Sequence, residues 1–192
     1  MYPLDELFKN GMNVDRSEPV NELDQYRQVH IFKTSEVLIE APTDIVWPYL
    51  LEFSSFNDTF ERVELLSGVQ NTVGAISRLT KRKGEWWIPP FLVKIIHLNP
   101  GRQIVWKVFP EEGEAFSRYS DFNLRAVDQG TLFNIRAYEE HRFAPRSSEE
   151  EAKAIEAMRQ ASDRLHREVL FPNLKRLAER EVKTGHRSGM SS

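Results

Sequence analysis

The chain has 192 residues, of which 40% are hydrophobic and 11% aromatic, a composition that predicts one folded domain and excludes disorder throughout. Its 26 Lys and Arg and 29 Asp and Glu residues are mixed along the sequence, and the net charge of -3 argues against the broad basic surface of a nucleic-acid-binding protein. The absence of cysteine excludes disulfides, a thiolate nucleophile and Cys-based zinc sites.

The first third of the chain predicts an arm, a strand and two short helices. Residues 1–28 are polar and weakly periodic, as expected of an arm that lies on the domain or is partly loose. Apolar and β-branched residues from Val29 to Glu40 predict a strand. A helix should follow Ala41-Pro42-Thr43-Asp44, because proline suits a first helical turn and aspartate its positive end. Pro48 should kink or split that helix, and residues 54–58 predict a second short helix or turn.

The rest of the chain predicts a meander of strands followed by a long helix. Gly and Pro turn signals separate six strands, at about 62–67, 73–82, 86–98, 103–109, 115–127 and 131–143. A helix should start at Ser147, with Glu149, Glu150 and Glu151 at its positive end and an apolar face that includes Ile155, Met158, Leu165 and Val169. Pro172 should bend or break this helix, which runs to about residue 182 before a flexible tail of residues 183–192.

Local motifs add a family resemblance to this order of elements. The stretch Ile39-Glu-Ala-Pro-Thr-Asp-Ile-Val-Trp47 resembles the opening of the START-like or Bet v 1-like (SRPBCC) superfamily, in particular its polyketide cyclase/dehydrase group. Leu65-Leu-Ser-Gly68, Ile95-Ile-His-Leu-Asn-Pro100 and Leu174-Lys-Arg-Leu-Ala-Glu179 resemble later landmarks. The resemblance implies an α+β helix-grip fold over residues 29–182: a curved seven-stranded antiparallel sheet around a long C-terminal helix, with two short helices after the first strand, enclosing a hydrophobic cavity.

Alternation along the last two predicted strands brings polar residues to the apolar face. Continuing the parity of Phe133 and Ile135 places Glu139 and His141 inside, and a short hairpin loop then places Arg118 and Ser120 beside them. In one interpretation Arg118, Glu139 and His141 are catalytic: the arginine holds a carbonyl or phenolate, and His141 or Glu139 moves a proton. In the other, these charges lie at the open end of the sheet in contact with water, since one bulge would break the parity.

Aromatic and apolar residues supply a candidate lining for the cavity. Trp86 and Trp87, just before Pro89-Pro90, predict either a gate to the cavity or a cover for one end of the core, because proline cannot donate to a sheet ladder. The predicted ligand-binding residues are Trp86, Trp87, Phe91, Trp106, Phe116, Ser120, Phe122, Phe133, Ile135, Met158 and Leu165.

The sequence carries no nucleotide-binding loop, no nucleophile elbow and no metal-ligand spacing among its five histidines, so we expect neither a cofactor nor a metal. The resemblance implies a protein that binds a small hydrophobic molecule, polyketide-like or aromatic, and cyclises or dehydrates it by acid/base chemistry. Two alternatives stay open, a non-catalytic carrier of a lipid, sterol or quinone and a protein-interaction module, and a homodimer is left open as well. The chain start lacks a secretory signal and no run approaches the ~20 apolar residues of a membrane span, so we expect a soluble, cytoplasmic protein without stable membrane insertion.

Overall fold

The computed structural model describes residues 27–57, 60–81, 91–111, 116–143 and 147–185. These residues form a seven-stranded antiparallel sheet and a long terminal helix. The elements are β1 (Arg27–Ile39), α1 (Thr43–Leu51), α2 (Phe53–Phe56), β2 (Phe60–Ser67), β3 (Ile76–Lys81), β4 (Phe91–Asn99), β5 (Gln103–Pro110), β6 (Phe116–Val127), β7 (Gly130–Phe143), α3 (Ser148–Arg164), a π-helical turn (Leu165–Leu170) and α4 (Phe171–Thr184). The strand order is β1-β7-β6-β5-β4-β3-β2, so the first strand pairs with the last and the others form a meander.

Strict alternation along β7 gives the sheet one buried face, called here the inner face. Phe133, Ile135 and Ala137 are fully buried, whereas Arg136 between them is exposed. The same alternation on β6 buries Phe122. The predicted sheet and its hairpin order are therefore confirmed.

The turn between β6 and β7 fixes the register of these two strands. Gly130 has φ 134°, a conformation that L side chains rarely adopt, and a Cβ there would overlap the carbonyl oxygen of Ile39. Directly after it, the buried Thr131 hydroxyl donates to the carbonyl oxygen of Ala41 at 2.7 Å. This hairpin is thus tied to the end of β1, and its register continues without a bulge to the far end of both strands.

The structure corrects two local predictions in the first half. The helix α1 was expected to kink or split at Pro48; it does not split, since Thr43–Leu51 is one helix, and Pro48 costs it one backbone hydrogen bond. The third strand was expected from residue 73, but it begins at Ile76. Asn71 and Gly74 both have positive φ, 59° and 94°, so the chain is still turning there.

The terminal helix begins at a capping box and continues past Pro172. The Ser147 side chain accepts from the backbone N–H of Glu150, whose carboxylate accepts from the backbone N–H of Ser147. The helix was expected to bend or break at Pro172; the α-helical pattern is interrupted just before that residue, by a π-helical turn over Leu165–Leu170, and resumes as α4 with Pro172 in its first turn. The wider turn accommodates a residue that lacks a donor and whose ring crowds the preceding turn.

The core consists of two apolar clusters. The main cluster joins α1, α2 and α4 to the inner face, and its buried members include Val46, Leu50, Phe56, Ile104, Phe122, Phe133, Ile135, Leu170, Phe171 and Leu174. A small cluster joins Val29 and Ile31 of β1 to Met158 of α3. Within the described ranges, no helix is long and apolar enough to cross a membrane.

Candidate functional site

Polar side chains separate the two apolar clusters on the inner face. They come from three strands and the terminal helix: Lys33 and Ser35 of β1, Arg118 and Ser120 of β6, Glu139 and His141 of β7, and Ser162 and His166 of the terminal helix. We call these eight residues the polar layer. Along β1, for example, they lie between the buried Ile39 of the main cluster and Ile31 of the small one.

The β6–β7 register places Arg118 directly opposite Glu139. An Arg118 Nη1 atom lies 3.4 Å from Glu139 Oε1, and Arg118 Nε donates to Ser120 Oγ at 2.9 Å. The other carboxylate oxygen, Glu139 Oε2, lies 3.1 Å from His141 Nε2. Because an ionised carboxylate only accepts, His141 Nε2 carries the proton and donates it to this bond. Glu139 therefore links an arginine and a histidine in one buried chain.

Glu139 is a charged group inside the protein, with only 5% of its surface exposed. Burial on its own would raise the pKa of Glu139. The hydrogen bond from His141 and the charges of Arg118, His141 and Lys33 outweigh burial and lower the pKa to about 2. The carboxylate is therefore ionised across the physiological range, and it is a weak base.

His166 is fully buried and joins the polar layer from the helix side. Its Nε2 atom lies 3.2 Å from Arg118 Nη2 and its Nδ1 atom 2.9 Å from Ser35 Oγ. Since the guanidinium only donates, Nε2 must accept, and the proton sits on Nδ1 and is donated to Ser35. Burial, together with the charges of Arg118 and Lys33, lowers the pKa of His166 to about 3, so this imidazole is neutral.

Lys33 is a buried cation on β1. Its Nζ atom donates to the backbone carbonyl oxygens of Met158 at 3.1 Å and Arg159 at 2.6 Å. Burial lowers the pKa of Lys33 to about 8, against the attraction of Glu139 and Asp163. The side chain thus fastens the first strand to the middle of α3 and keeps most of its positive charge at neutral pH.

Ser162 is the unsatisfied member of the polar layer. Its Oγ atom is buried and has no hydrogen-bond partner in the part of the chain that the structure describes. Met158, Ser162 and His166 follow one another at intervals of four residues, which places them on one side of the helix. Buried hydroxyls are almost always hydrogen-bonded. The Ser162 hydroxyl could therefore bind a hydrogen-bonding group of a ligand.

The structure brings together the four polar residues that the sequence singled out. Arg118, Ser120, Glu139 and His141 share the inner face, and the carboxylate and imidazole side chains are only 7% and 8% exposed, so they do not lie in contact with bulk water. Their catalytic roles stay a prediction. Sequence reasoning missed Lys33, although its parity with the buried Ile31 was a usable signal.

The predicted lining residues fall into three groups. Trp106, Phe122, Phe133 and Ile135 belong to the main cluster and Met158 to the small one. Next to the polar layer, the Phe116 ring lies 4.9 Å from the His141 ring and 6.0 Å from the half-buried Phe91 ring, and Leu165 is half-buried against the main cluster. Trp86 and Trp87 lie outside the described residues.

The enclosed cavity stays a prediction. Two clefts among the described residues lie elsewhere, one on the outer face beside Gln103, Asn123 and Asn134, and one beside the β6–β7 turn. Among these residues no group of three His, Cys, Asp or Glu side chains is arranged to hold a metal ion.

No family model matches this chain, and no curated protein matches it by sequence. Several solved structures do match it by fold. The Zhui aromatase/cyclase from a Streptomyces species superposes with a TM-score of 0.59 at 17% identity, over 83% of this chain and 99% of that one. Ara h 8.0201 superposes with a TM-score of 0.56 at 12% identity, over 81% of this chain and 99% of the other.

The chain has the Bet v 1-like helix-grip fold. The di-domain aromatase/cyclase StfQ from the steffimycin biosynthetic pathway also superposes, with a TM-score of 0.61 at 13% identity, over 80% of this chain and 52% of the larger protein. At such low identity the likeness concerns the Bet v 1-like fold alone. The polar layer lies where that fold brings its sheet and its terminal helix together.

Proposed function

We propose that this protein binds a small, largely hydrophobic molecule between the inner face of the sheet and the terminal helix. The observation that carries the proposal is the polar layer, a set of buried and half-buried charged and polar groups on an otherwise apolar face. Burying charges costs free energy that well-packed apolar side chains would not cost. A ligand whose polar atom meets these groups gives a reason for retaining them. Superposition on two aromatase/cyclases and on Ara h 8.0201 supports the same kind of ligand.

The contacts of Arg118 favour one orientation of the ligand. The side chain of Arg118 is 17% exposed, whereas that of Glu139 is 7% exposed, so the guanidinium is the more accessible charge. A carbonyl or phenolate oxygen would bind there, and the apolar body would lie along aromatic side chains on the same face of β6, Phe116 and Phe122. Neutral His166 and Ser120 hold Arg118 in place by accepting from it.

We propose further that the site transfers protons, as cyclisation or dehydration of a polyketide-like compound requires, without a cofactor. Arg118 would stabilise the negative charge that develops on an enolised carbonyl oxygen. His141 would transfer the proton, because imidazole is the side chain that usually does so near neutral pH. With a pKa of about 2, Glu139 is too weak a base for this step, and its role would be to orient His141.

A specific observation also favours a second candidate function, a non-catalytic carrier of a lipid, sterol or quinone. Arg118, Glu139 and His141 already satisfy one another through a chain of contacts of 3.1 to 3.4 Å. A self-satisfied charge chain can stabilise one arrangement of the interior without taking part in any reaction.

The first experiment is native mass spectrometry of the full chain as purified, followed by extraction and identification of any compound released on denaturation. The same compound would then compete with the neutral dye N-phenylnaphthylamine, whose fluorescence rises in an apolar site. Arg118→Met removes the guanidinium from the inner face. Arg136→Met is the matched control, because Arg136 lies on the outer face of the neighbouring strand.

A single aromatic or polyketide-like compound that the protein converts, with turnover lost in Arg118→Met and kept in Arg136→Met, would support the enzymatic proposal. A mixture of ordinary lipids bound equally by both variants would favour the carrier. No bound mass and no dye fluorescence would contradict both, and a protein-interaction role would then have to be pursued.

A further inference from the structure

We infer that the bound molecule is an organic anion, an apolar body with one acidic oxygen group whose oxygens contact Lys33, Ser162 and Arg118. This inference rests on the proposed function, and it names the chemical class of the ligand.

The charges of the polar layer do not balance. Within the described residues the layer holds two cations, Lys33 and Arg118, and one anion, Glu139. His166 is neutral, because it accepts a hydrogen bond from Arg118 through Nε2. His141 can add positive charge but never negative charge. Asp163, which attracts Lys33, is exposed at the surface of α3 and is solvated there. A buried site with excess positive charge is stabilised by an anion.

The layer also has donors to offer. An ammonium group has three N–H bonds, and Lys33 uses two of them on the carbonyl oxygens of Met158 and Arg159. The hydroxyl of Ser162 has no partner among the described residues. Arg118 is the most accessible member of the Arg118–Glu139–His141 chain. A carboxylate-like group, which only accepts, complements such a set of donors.

Helix geometry places these donors in a row. In an α-helix the carbonyl oxygen of Met158 accepts from the backbone N–H of Ser162, one turn further on. Lys33 binds that carbonyl oxygen, so its ammonium group lies next to the turn that carries Ser162. The following turn carries His166, which contacts Arg118. The ammonium group of Lys33, the hydroxyl of Ser162 and the guanidinium of Arg118 therefore follow one another along the side of the helix that faces the sheet.

The facing strands present small side chains at this level. Lys33 pairs with Ala137 on β7, and Ala137 pairs with Ser120 on β6. Ala161, next to Ser162, is small and buried as well. The buried large apolar side chains lie on both sides of this row, in the two apolar clusters. We place the acidic group at this level, between the donors.

Two dyes of nearly the same shape test the inference. Anilinonaphthalene sulfonate carries an anionic group, and N-phenylnaphthylamine is the same aromatic body without it. We expect the full chain to bind the anionic dye more tightly. Because a hydrogen bond to a charged group contributes about 1.5–3 kcal/mol, Lys33→Met should weaken the anionic dye roughly tenfold or more and change the neutral dye by less than about twofold.

Two further variants complete the design. Ser162→Ala removes the unsatisfied hydroxyl without removing a hydrogen bond among the described residues, so it should fold normally and weaken only the anionic dye. Lys153→Met is the matched control, because Lys153 lies on the exposed side of the same helix, paired with Glu149. Displacement by naphthoate but not by naphthamide would extend the result from sulfonate to carboxylate.

The outcomes separate the two proposals. If the neutral dye binds and the anionic dye binds no better, or if Lys33→Met and Ser162→Ala leave both affinities unchanged, the inference is refuted while the proposed function stands. If neither dye binds, the proposed function is refuted and the inference with it. Should Lys33→Met fail to fold, Ser162→Ala alone decides.

Discussion

Mild acid should destabilise this protein through a single buried imidazole, that of His166. The folded protein holds His166 neutral between Arg118 and Ser35, with its pKa lowered to about 3 from an ordinary value of 6.5. Between these two pH values the unfolded chain binds a proton that the folded chain does not bind. Stability is therefore lost as the pH falls below about 6.5.

The size of the effect follows from the two pKa values of His166. Lowering the pH from about 7 to about 5 should reduce the free energy of unfolding by roughly 2 kcal/mol through this group alone. Glu139 contributes little in that window, because its folded pKa of about 2 and its ordinary value of 4.5 both lie lower. Its own contribution is lost only as the pH falls from about 4.5 towards 2.

Urea unfolding of the full chain at both pH values measures this loss. His166→Gln cannot take up a proton, and its amide can still accept from Arg118 and donate to Ser35. The variant should be less stable at about pH 7 but should lose roughly 2 kcal/mol less than the original chain on acidification. His97→Gln, at an exposed position on β4, should follow the original chain. If His166→Gln loses as much free energy of unfolding on acidification as His97→Gln does, the assignment of a neutral buried His166 is wrong.

Three other predictions concern the turn, the charge chain and the buried lysine. Gly130→Ala should destabilise the protein by about 2–4 kcal/mol in urea unfolding, because its Cβ would meet backbone, whereas Gly101→Ala, in open space at φ 72°, should cost only about 1 kcal/mol. Arg118→Met should cost roughly 3–5 kcal/mol, and adding Glu139→Gln should recover part of it; strictly additive losses would argue against a coupled pair. As the pH rises from about 8 to 10.5, the buried Lys33 loses its charge, which should stabilise the original chain by roughly 3 kcal/mol relative to Lys33→Met. If the free energies of unfolding of the two proteins change in parallel over this pH range, the prediction is wrong.

Alternation made part of the site predictable. Glu139 and His141 lie on the same face of β7 as the apolar Phe133 and Ile135, because the residue numbers differ by even steps. The short turn at Gly130 then determines which residues of β6 pair with them. Keeping both apolar sets on the buried face predicted Arg118 opposite Glu139 or His141, and the structure pairs it with Glu139. Periodicity also indicated the long helix, but it did not indicate the π-helical turn, which inserts an extra residue per turn and so rotates the face that follows.

Sequence by itself determined the meander, the terminal helix and the face on which the residues of β6 and β7 lie, since these depend on turn chemistry and on a period of two or 3.6 residues. Only the tertiary structure decided which helix residues meet which strand residues. Lys33 contacts a carbonyl 126 residues away, and Ser35 contacts His166 at a separation of 131 residues. Such pairs arise when the helix packs across the whole sheet, and no local pattern encodes that crossing. The change in pKa of Lys33 and His166 follows from the same event, because burial and neighbouring charge exist only once the helix is in place.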